Sequence, residues 1–176
     1  MKVVVSNSGP LIHLAQVGLL ELVFKLYDLI LIPPSVYDEI VVKGKEQGHS
    51  DAFILEQAII NEKIKVEEVK EDALKLSTSK LHQGEIYAIL LALQSKVEVI
   101  FLDDEEARIF ARKLNIKIKG TLGILIEFLR QGFLKLNEAL EYLKKLNDIM
   151  YLSSDVYSFV EIKLEELAGS KNRYLG

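Results

Sequence analysis

Apolar residues alternate along the chain between short continuous runs and stretches of helical spacing, and the alternation repeats from end to end. Lys2 to Ser6 (KVVVS), Leu29 to Ile32 (LILI), Ile64 to Val69, Val97 to Leu102 (VEVIFL) and Ile116 to Lys119 have the β-branched runs or alternation of strands. Between them, Leu11, Leu14, Ala15, Leu19, Leu22, Val23 and Leu26 recur at helical spacing, with a break expected at Gly18. Asn7-Ser8-Gly9-Pro10 reads as the turn feeding that helix. Ser35 to Val42 reads as a short helix behind Pro33-Pro34, and Lys43 to Ser50 (KGKEQGHS) as a mobile flap. Asp51 to Asn61 and Asp72 to Leu76 are helical pieces, and His82 to Leu93 is apolar nearly all round, so it must be buried. Ala107, Phe110, Ala111 and Leu114 mark the next helix. Gly120-Thr121-Leu122-Gly123 reads as a turn into Ile124 to Gln131, stopped by Gly132. Asn137 is expected to cap Glu138 to Leu146, and Ser153 or Ser154 a last helix reaching about Leu167.

Strands that alternate with helices build a parallel sheet covered on both faces. The expected fold is α/β, a three-layer α/β/α sandwich around about five parallel strands, with residues 1–167 as one domain and 168–176 as a disordered tail.

Composition narrows the function classes. The chain has 176 residues, 49% hydrophobic and 27% charged, values typical of a globular domain. It has no cysteine, which excludes disulfides, thiolate metal sites and a cysteine nucleophile. His13, His49 and His82 lack ligand spacing and read as surface or helix-packing residues. No apolar stretch reaches the roughly eighteen residues of a membrane span, and MKVVVSNSGP has no cleavable signal pattern, so a cytoplasmic protein is expected. A net charge of -4 argues against nucleic-acid binding through bulk charge, but leaves room for a basic strip beside an acidic pocket.

The candidate chemistry lies at strand ends. Asp103 and Asp104 sit in the turn after the 97–102 strand, and in open parallel sheets ligands bind beyond the carboxyl ends of the strands. A structural role competes with this reading. Either aspartate can cap the following helix, with Glu105 and Glu106 in its first turn and Arg108, Arg112 and Lys113 further along. Asn7 ends the first strand on the same edge, and Glu39 and Glu85 come early in helices, so four acidic or amide positions can converge there. Clustered carboxylates repel unless a cation neutralises them, and Mg²⁺ or Mn²⁺ suits an oxygen-only donor set. Metal-assisted phosphodiester hydrolysis follows. Receiver domains and haloacid dehalogenase-type phosphatases need acidic residues after the first strand, where this chain has Ser6-Asn7-Ser8-Gly9. Neither GxGxxG nor GxxxxGK[ST] is present, so the nucleotide-cradling classes lack their loop.

The order of motifs resembles the PIN-domain family, in particular small prokaryotic VapC-like proteins of the DUF3368 type. The resemblance rests on Val5 to Ile12 (VSNSGPLI), Ile32 to Ile40 (IPPSVYDEI), Gly84 to Ile89 (GEIYAI), Leu102 to Arg108 (LDDEEAR) and Gly120 to Gly123 (GTLG), and covers about residues 3–167. It implies a parallel sheet between helices, an acidic pocket for Mg²⁺ or Mn²⁺, cleavage of single-stranded RNA, homodimerisation and inhibition by a small antitoxin protein. The family's acidic positions fall on Asn7, Glu39, Glu85 and Asp104 or Asp103, which makes Glu39, Glu85 and Asp104 the implied catalytic set. Thr121 falls near a polar position that some members place beside the pocket; Ser8 and Arg108 or Arg112 are further candidate substrate contacts, although a solvated face or dipole complement is the commoner role for such arginines. Asn7 is the departure, because the family more often has Asp there; an amide oxygen ligates a metal without bringing charge. The leading expectation is a metal-dependent endoribonuclease, a toxin of the toxin-antitoxin type. The alternative is a catalytically weakened PIN-like module that binds RNA or a partner protein.

Overall fold

The computed structural model describes residues 1–70 and 82–173. The helical piece expected at 72–76 lies outside them. Two compact units emerge, Met1–Gly120 and Thr121–Gly176.

In the first unit the apolar runs become strands β1 (Val3–Ser6), β2 (Leu29–Ile32), β3 (Ile64–Val66), β4 (Val99–Phe101) and β5 (Lys117–Lys119), β2 with the expected bounds and the others shorter than their runs suggest. All pair in parallel, in the order β3-β2-β1-β4-β5. The expected parallel α/β sheet is therefore present.

Helices α1 (Ser8–Gln16) and α2 (Leu20–Leu26) lead from β1 to β2. Gly18, at φ 78°, takes the left-handed turn that separates them. From β2 the chain runs through α3 (Pro34–Tyr37), a π-helical stretch (Asp38–Lys43), α4 (Gly44–Glu46) and α5 (Ser50–Ile60) to β3. Helix α6 (Gln83–Gln94) precedes β4, and α7 (Glu105–Lys113) joins β4 to β5. Right-handed crossovers toward β2 and β3 put α1 to α5 on one face of the sheet, and those toward β4 and β5 put α6 and α7 on the other. The latter face packs Val5, Leu31 and Ile100 against Ala88, Ile89, Leu91 and Ala92 of α6 and Ala107 and Ala111 of α7. Each large side chain buried there contributes about 1.5–3 kcal/mol. On the opposite face Tyr27 meets Phe101 edge-on at 5.3 Å.

Two local expectations are corrected in this unit. Pro10 lies inside α1, which starts at Ser8, because Asn7 in extended conformation (ψ 175°) already serves as its N-cap. The flap expected at 43–50 is helical as far as Glu46. Its glycine is a packing residue: a Cβ at Gly44 would stand 2.9 Å from Ala52 Cβ, so glycine lets this helix approach α5.

In the second unit, Thr121–Arg130 (α8), Leu136–Met150 (α9) and Ser154–Arg173 (α10) pack on one another. Gly120-Thr121-Leu122-Gly123 is not a free turn, since α8 already begins at Thr121. Lys135 rather than Asn137 precedes the first turn of α9, where its N–H donates to Glu138 at 2.7 Å. Ser153 Oγ accepts the Val156 N–H at 3.3 Å, as a cap does. The tail expected to be disordered from 168 is helical to Arg173. No single helix among the described residues is long and apolar enough to cross a membrane.

Candidate functional site

The direction in which successive strands are added reverses between β1 and β4, the neighbours at the centre of the sheet, and a crevice opens beyond their carboxyl ends at such a switch point. Asn7 leaves β1 there, with its N–H donating to the Phe101 carbonyl of β4 at 3.1 Å. Asp103 and Asp104 leave β4 on the same edge. Sheet topology thus brings together residues almost a hundred positions apart.

An inner group forms around Asn7. Its Oδ1 is buried and lacks a hydrogen-bond partner among the described residues. Such an atom costs about 1–3 kcal/mol in a folded protein, a cost that persists where the group serves a ligand. Glu39 Oε2 shares its surroundings, because a Cβ built on Gly84 would stand 3.8 Å from Asn7 Oδ1 and 3.7 Å from Glu39 Oε2. Ser8, buried at the start of α1, donates its hydroxyl to that same Glu39 oxygen at 2.5 Å. Glu39 itself lies on the π-helical stretch, a distortion frequent at functional sites.

Glu85, one residue beyond Gly84, is only 8% exposed. Its carboxyl is held above its ordinary value, chiefly because burial strips the charged form of water. The His82 N–H that it accepts at 3.1 Å works the other way, the charge of Asp104 raises it again, His82 lowers it, and Glu39 raises it. Native protein therefore binds this proton more tightly than unfolded chain. The resulting stabilisation is complete below the ordinary value of 4.5 and is lost as pH rises through the raised one. Glu85→Gln keeps an oxygen for the His82 N–H and removes the charge. In chelator near neutral pH the variant is expected to unfold at higher denaturant than wild type, with the gap closing toward about pH 4. A gap independent of pH would show that the carboxylate is not strained.

Asp104 caps α7, accepting the Ala107 N–H at 2.9 Å. The structural role weighed for this aspartate is real, and the pull of its charge on Glu85 ties it to the inner group as well.

Asp103 has different company. Its Oδ2 lies 2.8 Å from His13 Nδ1, and a Cβ at Gly120 would meet Asp103 Oδ1 at 3.0 Å and Arg108 Nη1 at 3.1 Å. Glycine at 120 is what lets these groups crowd together. Arg108 Nε is buried without a hydrogen-bond partner among the described residues, 3.8 Å from Glu105 Oε2. His13, expected to be a surface or packing residue, is thus in hydrogen-bond contact with a candidate site aspartate. The signal for it was a polar ring between apolar neighbours in Leu11-Ile12-His13-Leu14, one turn along from Gly9. His49 and His82 are exposed. Thr121 is buried at the first position of α8, in the second unit.

Among the described residues no three His, Asp or Glu side chains stand close enough to hold an ion between them. Mg²⁺ does not require that, since it takes one or two carboxylates and keeps several waters. The orphaned amide oxygen of Asn7 beside Glu39, with Glu85 and Asp104 supplying further negative charge, fits such an ion.

Searches among curated proteins and among solved structures returned no match. A family model described as DUF3368, PIN domain, matches residues 3–166, nearly the whole chain. PIN domains are a family of nucleases and are generally metal-dependent. The chain belongs to the DUF3368 PIN-domain family.

Proposed function

We propose that this protein is a Mg²⁺- or Mn²⁺-dependent endoribonuclease acting on single-stranded RNA. The observation that carries the reading is the buried, unpartnered Oδ1 of Asn7, set beside Glu39 at the switch point of the sheet. Asn7, Glu39, Glu85 and Asp104 would hold the ion, directly or through its waters. When bound, the ion supplies an acidified water as nucleophile and positive charge for the phosphate oxygens. Ser8 fixes Glu39 in one orientation, and its buried hydroxyl is committed to that carboxylate. Arg108, whose side chain is one-third exposed, offers its guanidinium to a phosphate. Asp103, with His13 as its partner, borders the pocket without being needed as a ligand.

The decisive assay uses the full chain and a single-stranded RNA oligonucleotide. Cleavage is expected with Mn²⁺ and none with EDTA; equal cleavage in both would reject the reading. One observation favours a second reading. Asn7 is neutral where the family more often has a carboxylate, which suits a module that binds RNA or a protein without cutting. A wild-type chain active with Mn²⁺ ends that alternative. A homodimer or a small antitoxin is the protein partner we infer. Exposed Val156, Phe159 and Ile162 on α10 support such a contact.

A further inference from the structure

We propose that Gly84 keeps open the space in which the ion and its water shell sit. This rests on the metal-dependent reading above. Two oxygens of different origin, Asn7 Oδ1 after β1 and Glu39 Oε2 on the π-helical stretch, face the backbone of α6 at Gly84. A side chain there would touch both, at 3.8 and 3.7 Å from its Cβ. The Asn7 oxygen is buried and has no partner among the described residues, so that space is where its missing partner belongs.

Nothing in the helix itself asks for glycine at this place. Gly84 is the second residue of α6 and does not take a left-handed conformation, so alanine fits its backbone. The contacts that a Cβ would make are ordinary van der Waals distances, so the protein tolerates one. An ion does not. At about 2.0–2.1 Å from its oxygen ligands, with waters on its remaining positions, Mg²⁺ or Mn²⁺ needs the volume next to those two oxygens that a methyl group would take.

Gly123, on α8, provides the control, because a Cβ there meets nothing within 4 Å. Full-length wild type, Gly84→Ala and Gly123→Ala are compared by thermal unfolding in EDTA and by Mn²⁺ titration, using calorimetry and the electron paramagnetic resonance of free Mn²⁺. Both variants are expected to melt at or above the wild-type temperature in EDTA. Gly84→Ala is expected to bind Mn²⁺ at least tenfold more weakly, while Gly123→Ala follows wild type. Wild-type crystals soaked in Mn²⁺ give a check that needs no variant: anomalous density should lie against Gly84, within reach of Asn7 Oδ1 and Glu39. Unchanged Mn²⁺ affinity in Gly84→Ala, or density elsewhere, overturns the role of Gly84 and leaves the metal-dependent reading standing. Wild type that binds no Mn²⁺ overturns both.

Discussion

Asp104→Asn and Glu39→Gln are each expected to lower Mn²⁺-dependent cleavage of single-stranded RNA by at least about a hundredfold, because even residues one step removed from a metal cost 10–100-fold when changed. Both variants should stay folded. Asn is as good an N-cap as Asp, so the bond from the Ala107 N–H survives at 104, and Gln at 39 keeps an oxygen for the Ser8 hydroxyl. What each variant loses is negative charge at the crevice, and with it the attraction for a divalent cation. Midpoints of thermal unfolding in EDTA should therefore stay within a few degrees of wild type. Cleavage at wild-type rates in both variants would remove this site from the chemistry.

The architecture was readable because strands buried on both faces are nearly continuous apolar runs. VVV, LILI and VIF have few other ways to be buried, and their alternation with helices leaves a parallel sheet as the simple solution. Helix ends were less legible. Glu62, Lys96, Asn115 and Tyr151 take left-handed conformations just beyond α5, α6, α7 and α9, where a reader looks for glycine. The segment Lys43 to Ser50 has loop composition, yet its first half is helical because Gly44 packs against Ala52, a contact that no local pattern announces. The same limit applied to the site. Asn7 and Asp104 could be placed from strand ends alone, since topology fixes where strand ends lie. The pairing of His13 with Asp103 joins residues 90 positions apart and depends on where α1 lies relative to the turn that follows β4. The space beside Gly84 is likewise a property of three elements meeting, invisible in any one of them.

Asn7→Asp should reverse its effect on stability with the metal. The new carboxylate has nearly the shape of the amide, so packing is unchanged and charge is the variable. In EDTA it joins Glu39, Glu85 and Asp104 in a crevice where burial and mutual repulsion already hold the Glu85 carboxyl above its ordinary value. With an acceptor already unpaired at that position, an added charge should destabilise the protein by on the order of 2–3 kcal/mol at neutral pH. Saturating Mn²⁺ should turn the order around, since a charged ligand replaces a neutral one; each tenfold gain in affinity corresponds to about 1.4 kcal/mol. Ligand at a hundred times its dissociation constant stabilises the fold by about 2.7 kcal/mol. The variant should therefore melt below wild type in EDTA and above it in Mn²⁺, and should cut RNA faster if wild type cuts at all. An inert wild type beside an active variant would assign the native protein to binding without cleavage. Identical melting in both buffers would mean that residue 7 does not face the cation, and the carboxylates around it would then need another explanation.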